Sequence, residues 1–139
     1  MRLHRDRKVD LIAHVPLFSG CSKKELRTIA MLADEIDLRK GKVLTRQGAP
    51  GREFFVLLEG TVDVVRDGKR VDTLGEGDFF GELALVSNIP RTATVTATSP
   101  IRALVLVGRD FRRLLEEDAS IAVKVLEAMA ERMPPADTH

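Results

Sequence analysis

A chain of 139 residues that is 44% apolar and 31% charged, with a net charge of +1, has the balance of one soluble globular domain with a single core. That charge gives no general drive toward nucleic acid, and no apolar run reaches the ~20 residues of a membrane-spanning helix. One cysteine, Cys21, leaves no internal disulfide, and with no signal peptide ahead of the fold we expect a reducing cytoplasm.

The chain opens on a basic run containing Arg2, Arg5, Arg7 and Lys8, which reads as a solvated terminus rather than a nucleic-acid arm. Ser22-Lys23-Lys24-Glu25 has the form of a capping box, with Ser22 at the N-cap and Glu25 reaching back. Leu26, Ile29, Ala30 and Ala33 follow at helical spacing, so an N-terminal helical segment is expected over 9–33. Cys21 reads as a small buried hydrophobe rather than a reactive thiol.

From residue 35 to 107 the rhythm changes to short β runs punctuated by glycine. The pattern predicts strands over 35–38, 43–45, 54–58, 61–66, 70–74, 91–97 and 101–107, the layout of a sandwich or jelly roll. Asp67-Gly68 is a hairpin turn by composition, because the tight turns that match strand twist need residues tolerant of positive φ.

Within this region, 79–95 reads FFGELALVSNIPRTATV. Gly-Glu-Leu-Ala opens a single helical turn, whose unpaired backbone N–H groups suit an anion. Gly81 lets a ligand approach the backbone closely. Glu82 is acceptor-only when ionised, and Arg91 presents a planar fork that matches phosphate oxygens. An anion cradle, a hydroxyl acceptor and an arginine so close together suit a sugar phosphate.

Phe80-Gly81-Glu82-Leu83-Ala84-Leu85 followed by Pro90-Arg91-Thr92-Ala93 and Val95 resembles the phosphate-binding cassette of the cyclic nucleotide-binding domain family. That family includes bacterial catabolite activator proteins, kinase regulatory subunits and nucleotide-gated channels. The resemblance implies a mainly β fold with flanking helices: an eight-stranded β-roll (jelly roll) over 35–107 with the cassette at 79–95. An N-terminal helical segment, a short cassette helix and two C-terminal helices would complete one domain over 1–139. It implies a ligand site of Gly81, Glu82, Leu83, Ala84, Arg91, Thr92 and Ala93. Glu82 would accept the ribose 2′-hydroxyl, Arg91 would pair with the cyclic phosphate, and amides near Gly81, Ala84 and Thr92 would complete the cradle. Matching hairpin lengths with the family puts Val64, Asp72 and Leu74 near the base. Asp72 on an outward strand face is the simpler reading, although a carboxylate there could accept from an exocyclic amine. Thr92 could donate to the phosphate or to a guanine amine, which leaves the choice of cAMP or cGMP open; cAMP is favoured. In this family Val15-Pro16-Leu17-Phe18 would be the apolar anchor ahead of the first roll strand.

Beyond the roll, a short helix is expected over 110–116, with Phe111, Leu114 and Leu115 on its apolar face. A longer one over 119–133 is N-capped by Asp118 and stopped by Pro134-Pro135. Its stripe of Ala122, Val125, Leu126, Met129 and Met133 fits packing on the roll, a lid over the base or a dimer seam. The family's lid would draw on Leu126, Met129 and Met133.

Catalysis is not expected. The three histidines, His4, His14 and His139, all fall outside the roll, so no metal cluster or histidine-assisted nucleophile can form within it. Too few residues follow the long helix for a helix-turn-helix module, and no cofactor is implied beyond the ligand cAMP or cGMP. The sequence therefore points to a cyclic nucleotide sensor signalling through its C-terminal helix. Its partners would be a second copy of the chain or an effector protein. A ligand-free interaction module and a regulatory piece of a longer protein are the alternatives.

Overall fold

In a computed structural model, residues 5–131 are described, and they divide into two compact units. Residues 32–111 form the first, a β-roll. Its strands are β1 (Asp34–Leu38), β2 (Val43–Thr45), β3 (Glu53–Glu59), β4 (Val62–Arg66), β5 (Lys69–Leu74), β6 (Phe79–Phe80), β7 (Thr94–Ala97) and β8 (Ile101–Val107). They make two four-stranded sheets, ordered β1-β8-β3-β6 and β2-β7-β4-β5, and every pairing is antiparallel. The eight-stranded roll inferred from the sequence is the fold of this chain.

Alternation of apolar and polar residues assigns the inner faces. Leu57, Val62, Val95, Ala97, Ile101 and Ala103 form the buried cluster to which both sheets contribute, and Leu38, Leu44, Val64 and Phe80 pack around it. The β4–β5 turn has the expected chemistry, with Asp67 at φ 53° and Gly68 at φ 78°. That turn is fastened to the β2–β3 connection: Gln47 Nε2 donates to Asp67 Oδ1 at 2.7 Å, and Asp67 N–H donates to Gln47 Oε1 at 2.9 Å.

Two strand boundaries differ from expectation for identifiable reasons. β6 was not anticipated because it is only Phe79–Phe80, too short for a periodicity to register. Its partners on β3 define it: Phe55 stacks on Phe80 at 4.9 Å, and Phe54 meets Phe79 edge-on at 6.0 Å. β7 begins at Thr94 rather than at residue 91, because Arg91 pairs instead with the β2–β3 connection. Arg91 N–H donates to Ala49 O and Gly48 N–H donates to Arg91 O, both at 2.8 Å.

Helix α3 (Gly108–Glu117) also starts earlier than the sequence suggested. Gly108 N–H donates to Arg52 O at 2.8 Å, and a Cβ on Gly108 would sit 2.6 Å from Ala84 O. Only glycine admits so close an approach of helix start and cassette backbone.

The second unit comprises, among the described residues, 5–31 and 112–131. It contains α1 (Arg5–Ala13), a 3₁₀ turn Pro16–Phe18, α2 (Lys23–Ala30) and α4 (Ala119–Glu131). The capping box forms as read, with Ser22 Oγ accepting from Glu25 N–H at 3.2 Å and Glu25 Oε1 accepting from Ser22 N–H at 2.8 Å. The same carboxylate ties α2 to α4, accepting from Ser120 Oγ at 2.6 Å and pairing with Lys124 Nζ. These partners, Lys124 first, hold the Glu25 pKa down to about 2. Asp118 caps α4, its Oδ1 accepting from Ile121 N–H at 3.1 Å.

The buried face of α4 is rotated from the expected stripe. Ile121, Val125 and Ala128 are buried at helical spacing, whereas Leu126 is 64% exposed. The turn Pro16–Phe18 packs on α4, with Leu17 and Phe18 fully buried. Met133, His4 and His139 lie outside the described residues.

Candidate functional site

The chain reverses direction after β6. Gly81 takes φ +81°, and Glu82–Leu85 then close one 3₁₀ turn in which Ala84 N–H donates to Gly81 O at 3.0 Å. A side chain at Gly81 would be strained by that φ, would lie 2.9 Å from Glu53 O, and would collide with the Arg91 guanidinium. At Gly51, too, a Cβ would press on Arg91, at 3.2 Å from its Cδ and Nε. Two glycines thus make the seat for one arginine.

Arg91 Nη2 donates to the backbone carbonyl of Glu53 at 2.6 Å. Among the described residues Arg91 makes no ion pair with a carboxylate. Burial pushes its pKa down, partly opposed by the charge of Glu53. A half-buried guanidinium held by a neutral carbonyl retains donors and positive charge for an anion.

A cavity of roughly 440 Å³ opens onto this group. Gly81, Arg91, Thr92 and Ala93 line its cassette end, Phe79 and Phe80 lie beside them, and Val64, Arg66, Asp72 and Leu74 form the β4–β5 wall. Arg66 is a second cation on that wall, its Nε donating to Thr92 O at 3.1 Å.

A profile of the family described as the cyclic nucleotide-binding domain matches residues 35–118, more than half of the chain. The chain belongs to the cyclic nucleotide-binding domain family. A cGMP-dependent protein kinase of Toxoplasma gondii is 40% identical over 103 residues, 73% of this chain and 10% of that protein. Among solved structures, the N-terminal domain of a transcriptional regulator from Streptomyces coelicolor superposes with a TM-score of 0.80 at 30% identity, covering 88% of this chain and 91% of that one. The regulatory domain of Toxoplasma gondii PKA crystallised with cAMP has a TM-score of 0.71 at 29% identity, covering 78% and 43% of the two chains. The chain spans between 10% and 37% of the length of the curated relatives it matches. The family is one of binding domains, although the Toxoplasma relative carries its domain in a kinase.

For this cyclic nucleotide-binding domain, the structure brings together Gly81, Arg91, Thr92, Ala93, Val64, Asp72 and Leu74 on one cavity. Asp72 corrects the outward reading. It pairs with Val64 across the β4–β5 ladder and shares the inner face with Val64 and Leu74. That end of the sheet opens to solvent, so a carboxylate can face inward and remain exposed.

Three cassette residues do not line the cavity. Glu82 is buried at 8% exposure, Leu83 is 47% exposed to solvent, and Ala84 is buried with its amide used inside the turn. The 3₁₀ geometry itself engages the Ala84 N–H that was expected in the phosphate cradle. Leu126 and Met129 belong to the helical unit.

Arg66, Phe79 and Phe80 were missed as cavity residues. Arg66 was detectable, because it follows Val62 and Val64 at the two-residue period of one strand face. Among the described residues no group of three metal-ligating side chains comes together, and no described helix is long and apolar enough to cross a membrane.

Proposed function

We propose that this domain binds a purine 3′,5′-cyclic nucleotide in the cavity beside Arg91 and acts as a regulatory sensor. The observation that carries the reading is the Arg91 guanidinium, seated between Gly51 and Gly81 and bonded to a neutral carbonyl at the cavity end. Arg91 pairs with the cyclic phosphate, assisted by the Thr92 hydroxyl. Val64 and Leu74 lie against the base, and Glu82, buried next to Gly81 and off the cavity wall, accepts the ribose 2′-hydroxyl by turning its carboxylate toward the ligand. Of the two purine ligands cAMP is favoured, supported by the cAMP-bound Toxoplasma regulatory domain of similar fold.

Signalling requires that ligand prefer one arrangement of the C-terminal helix over another, since equal affinity for both shifts nothing. The exposed Leu126 and half-buried Met129 on α4 are apolar surface that such a movement can bury over the base, against a second copy or against an effector.

Isothermal titration with cAMP and cGMP in parallel, on protein stripped of nucleotide, tests the reading. Saturable binding at micromolar Kd or tighter, about −8 kcal/mol, supports it. No heat with either ligand from folded protein overturns it.

A further inference from the structure

We infer that Asp72 reads the base, accepting a hydrogen bond from an N–H donor on the edge remote from the ribose, so that the site selects a donor-bearing purine. The inference rests on the nucleotide reading of the cavity and adds the chemistry by which the base is chosen.

Asp72 lies on the inner face of β5, opposite Val64, and lines the cavity. Beside it on that wall are the apolar Val64, Val71 and Leu74 and the cation Arg66. It is the lone carboxylate among the lining residues, and the two lining cations, Arg66 and Arg91, include one tied back to Thr92 O. In the sheet order β2-β7-β4-β5, β5 stands two strands from β7, whose start follows directly on Arg91, Thr92 and Ala93. Two strand spacings are roughly 10 Å. A nucleotide anchored by its phosphate at Arg91 crosses such a span with its base outermost, so β5 meets the far edge of the ring system.

Asp72 Oδ1 accepts the N–H of the next residue, Thr73, at 2.8 Å, and the carboxylate oxygens retain further acceptor capacity. An ionised carboxylate only accepts. It therefore favours the amino group of adenine, or the adjacent ring N–H and amino group of guanine. It opposes an unsubstituted purine, whose ring nitrogens on that edge are acceptors only.

The test compares cAMP, cGMP and the cyclic monophosphate of unsubstituted purine riboside on wild type, Asp72→Ala and Asp72→Asn. Wild type should bind cAMP or cGMP at least about 10-fold more tightly than the purine analogue, the worth of one charge-assisted hydrogen bond at an open site. Whichever nucleotide shows the larger ratio identifies the edge that Asp72 reads. Asp72→Ala should bring that ratio to within about 2-fold of unity, and Asp72→Asn, which keeps a neutral acceptor, should fall between. A ratio that survives Asp72→Ala, or a wild type that does not discriminate, overturns the inference while leaving the site intact. Failure of wild type to bind any of the three overturns the cavity reading and this inference with it. Asp72 is exposed on an edge strand, so both variants should fold.

Discussion

Replacing Arg91 by alanine removes the one cassette cation that the fold desolvates, and its cost can be worked from the geometry. In the folded protein the guanidinium gives one charge-assisted hydrogen bond to Glu53 O, worth about 1.5–3 kcal/mol to stability, a loss that most single domains survive, so the variant should remain folded. Binding should suffer more. A phosphate that loses its sheltered charge partner is destabilised by about 2–5 kcal/mol, which corresponds to a loss of roughly 30-fold to 5,000-fold in affinity. Arg91→Lys keeps the charge but loses the planar fork, so it should fall between wild type and alanine. The assay is calorimetric titration of stripped protein with cAMP and cGMP, with circular dichroism establishing that each variant is folded. A folded Arg91→Ala that binds within about 3-fold of wild type refutes the phosphate assignment, whatever else the cavity does.

Three further expectations follow from particular contacts. Gly108→Ala, at the first position of α3, gains less than the ~1 kcal/mol of an interior helix site, and its Cβ would lie 2.6 Å from Ala84 O, so the net effect on thermal stability should be destabilising; a higher Tm would show that the approach of the helix start to the cassette is not tight. Glu25 has a folded pKa of about 2 against an ordinary 4.5, so its contribution to stability is complete above pH 4.5 and fades as pH falls toward 2. In urea melts, the stability difference between wild type and Glu25→Gln should shrink across that window, and a difference independent of pH there would contradict the Ser22–Ser120–Lys124 arrangement. If Glu82 accepts the ribose hydroxyl, Glu82→Ala and removal of the 2′-hydroxyl should each cost about 10-fold or more; 2′-deoxy-cAMP losing as much on the variant as on wild type would exclude that contact.

Much of the roll was legible because its signals are local. Short β runs broken by glycine gave seven of the eight strands, and the Asp67-Gly68 turn and the Ser22–Glu25 capping box are written in adjacent residues. β6 was not legible, since Phe79 and Phe80 become a strand only through Phe55 and Val56, more than twenty positions away in sequence. The start of β7 was misplaced for the same reason, Arg91 being claimed by Gly48 and Ala49. On α4, helical spacing alone allowed several stripes, and packing chose Ile121, Val125 and Ala128.

The sequence by itself determined which chemical groups the cassette contains and in what order, because Gly81, Glu82 and Arg91 are chosen by backbone freedom and charge, which are properties of single residues. Only the tertiary structure decided how those groups are presented. Burial of Glu82, the seating of Arg91 between Gly51 and Gly81, and the turning of Asp72 onto the cavity wall depend on β-ladder register and on contacts between distant segments. Register is fixed by the fit of two whole sheets around one core, and a pattern of single residues does not contain it.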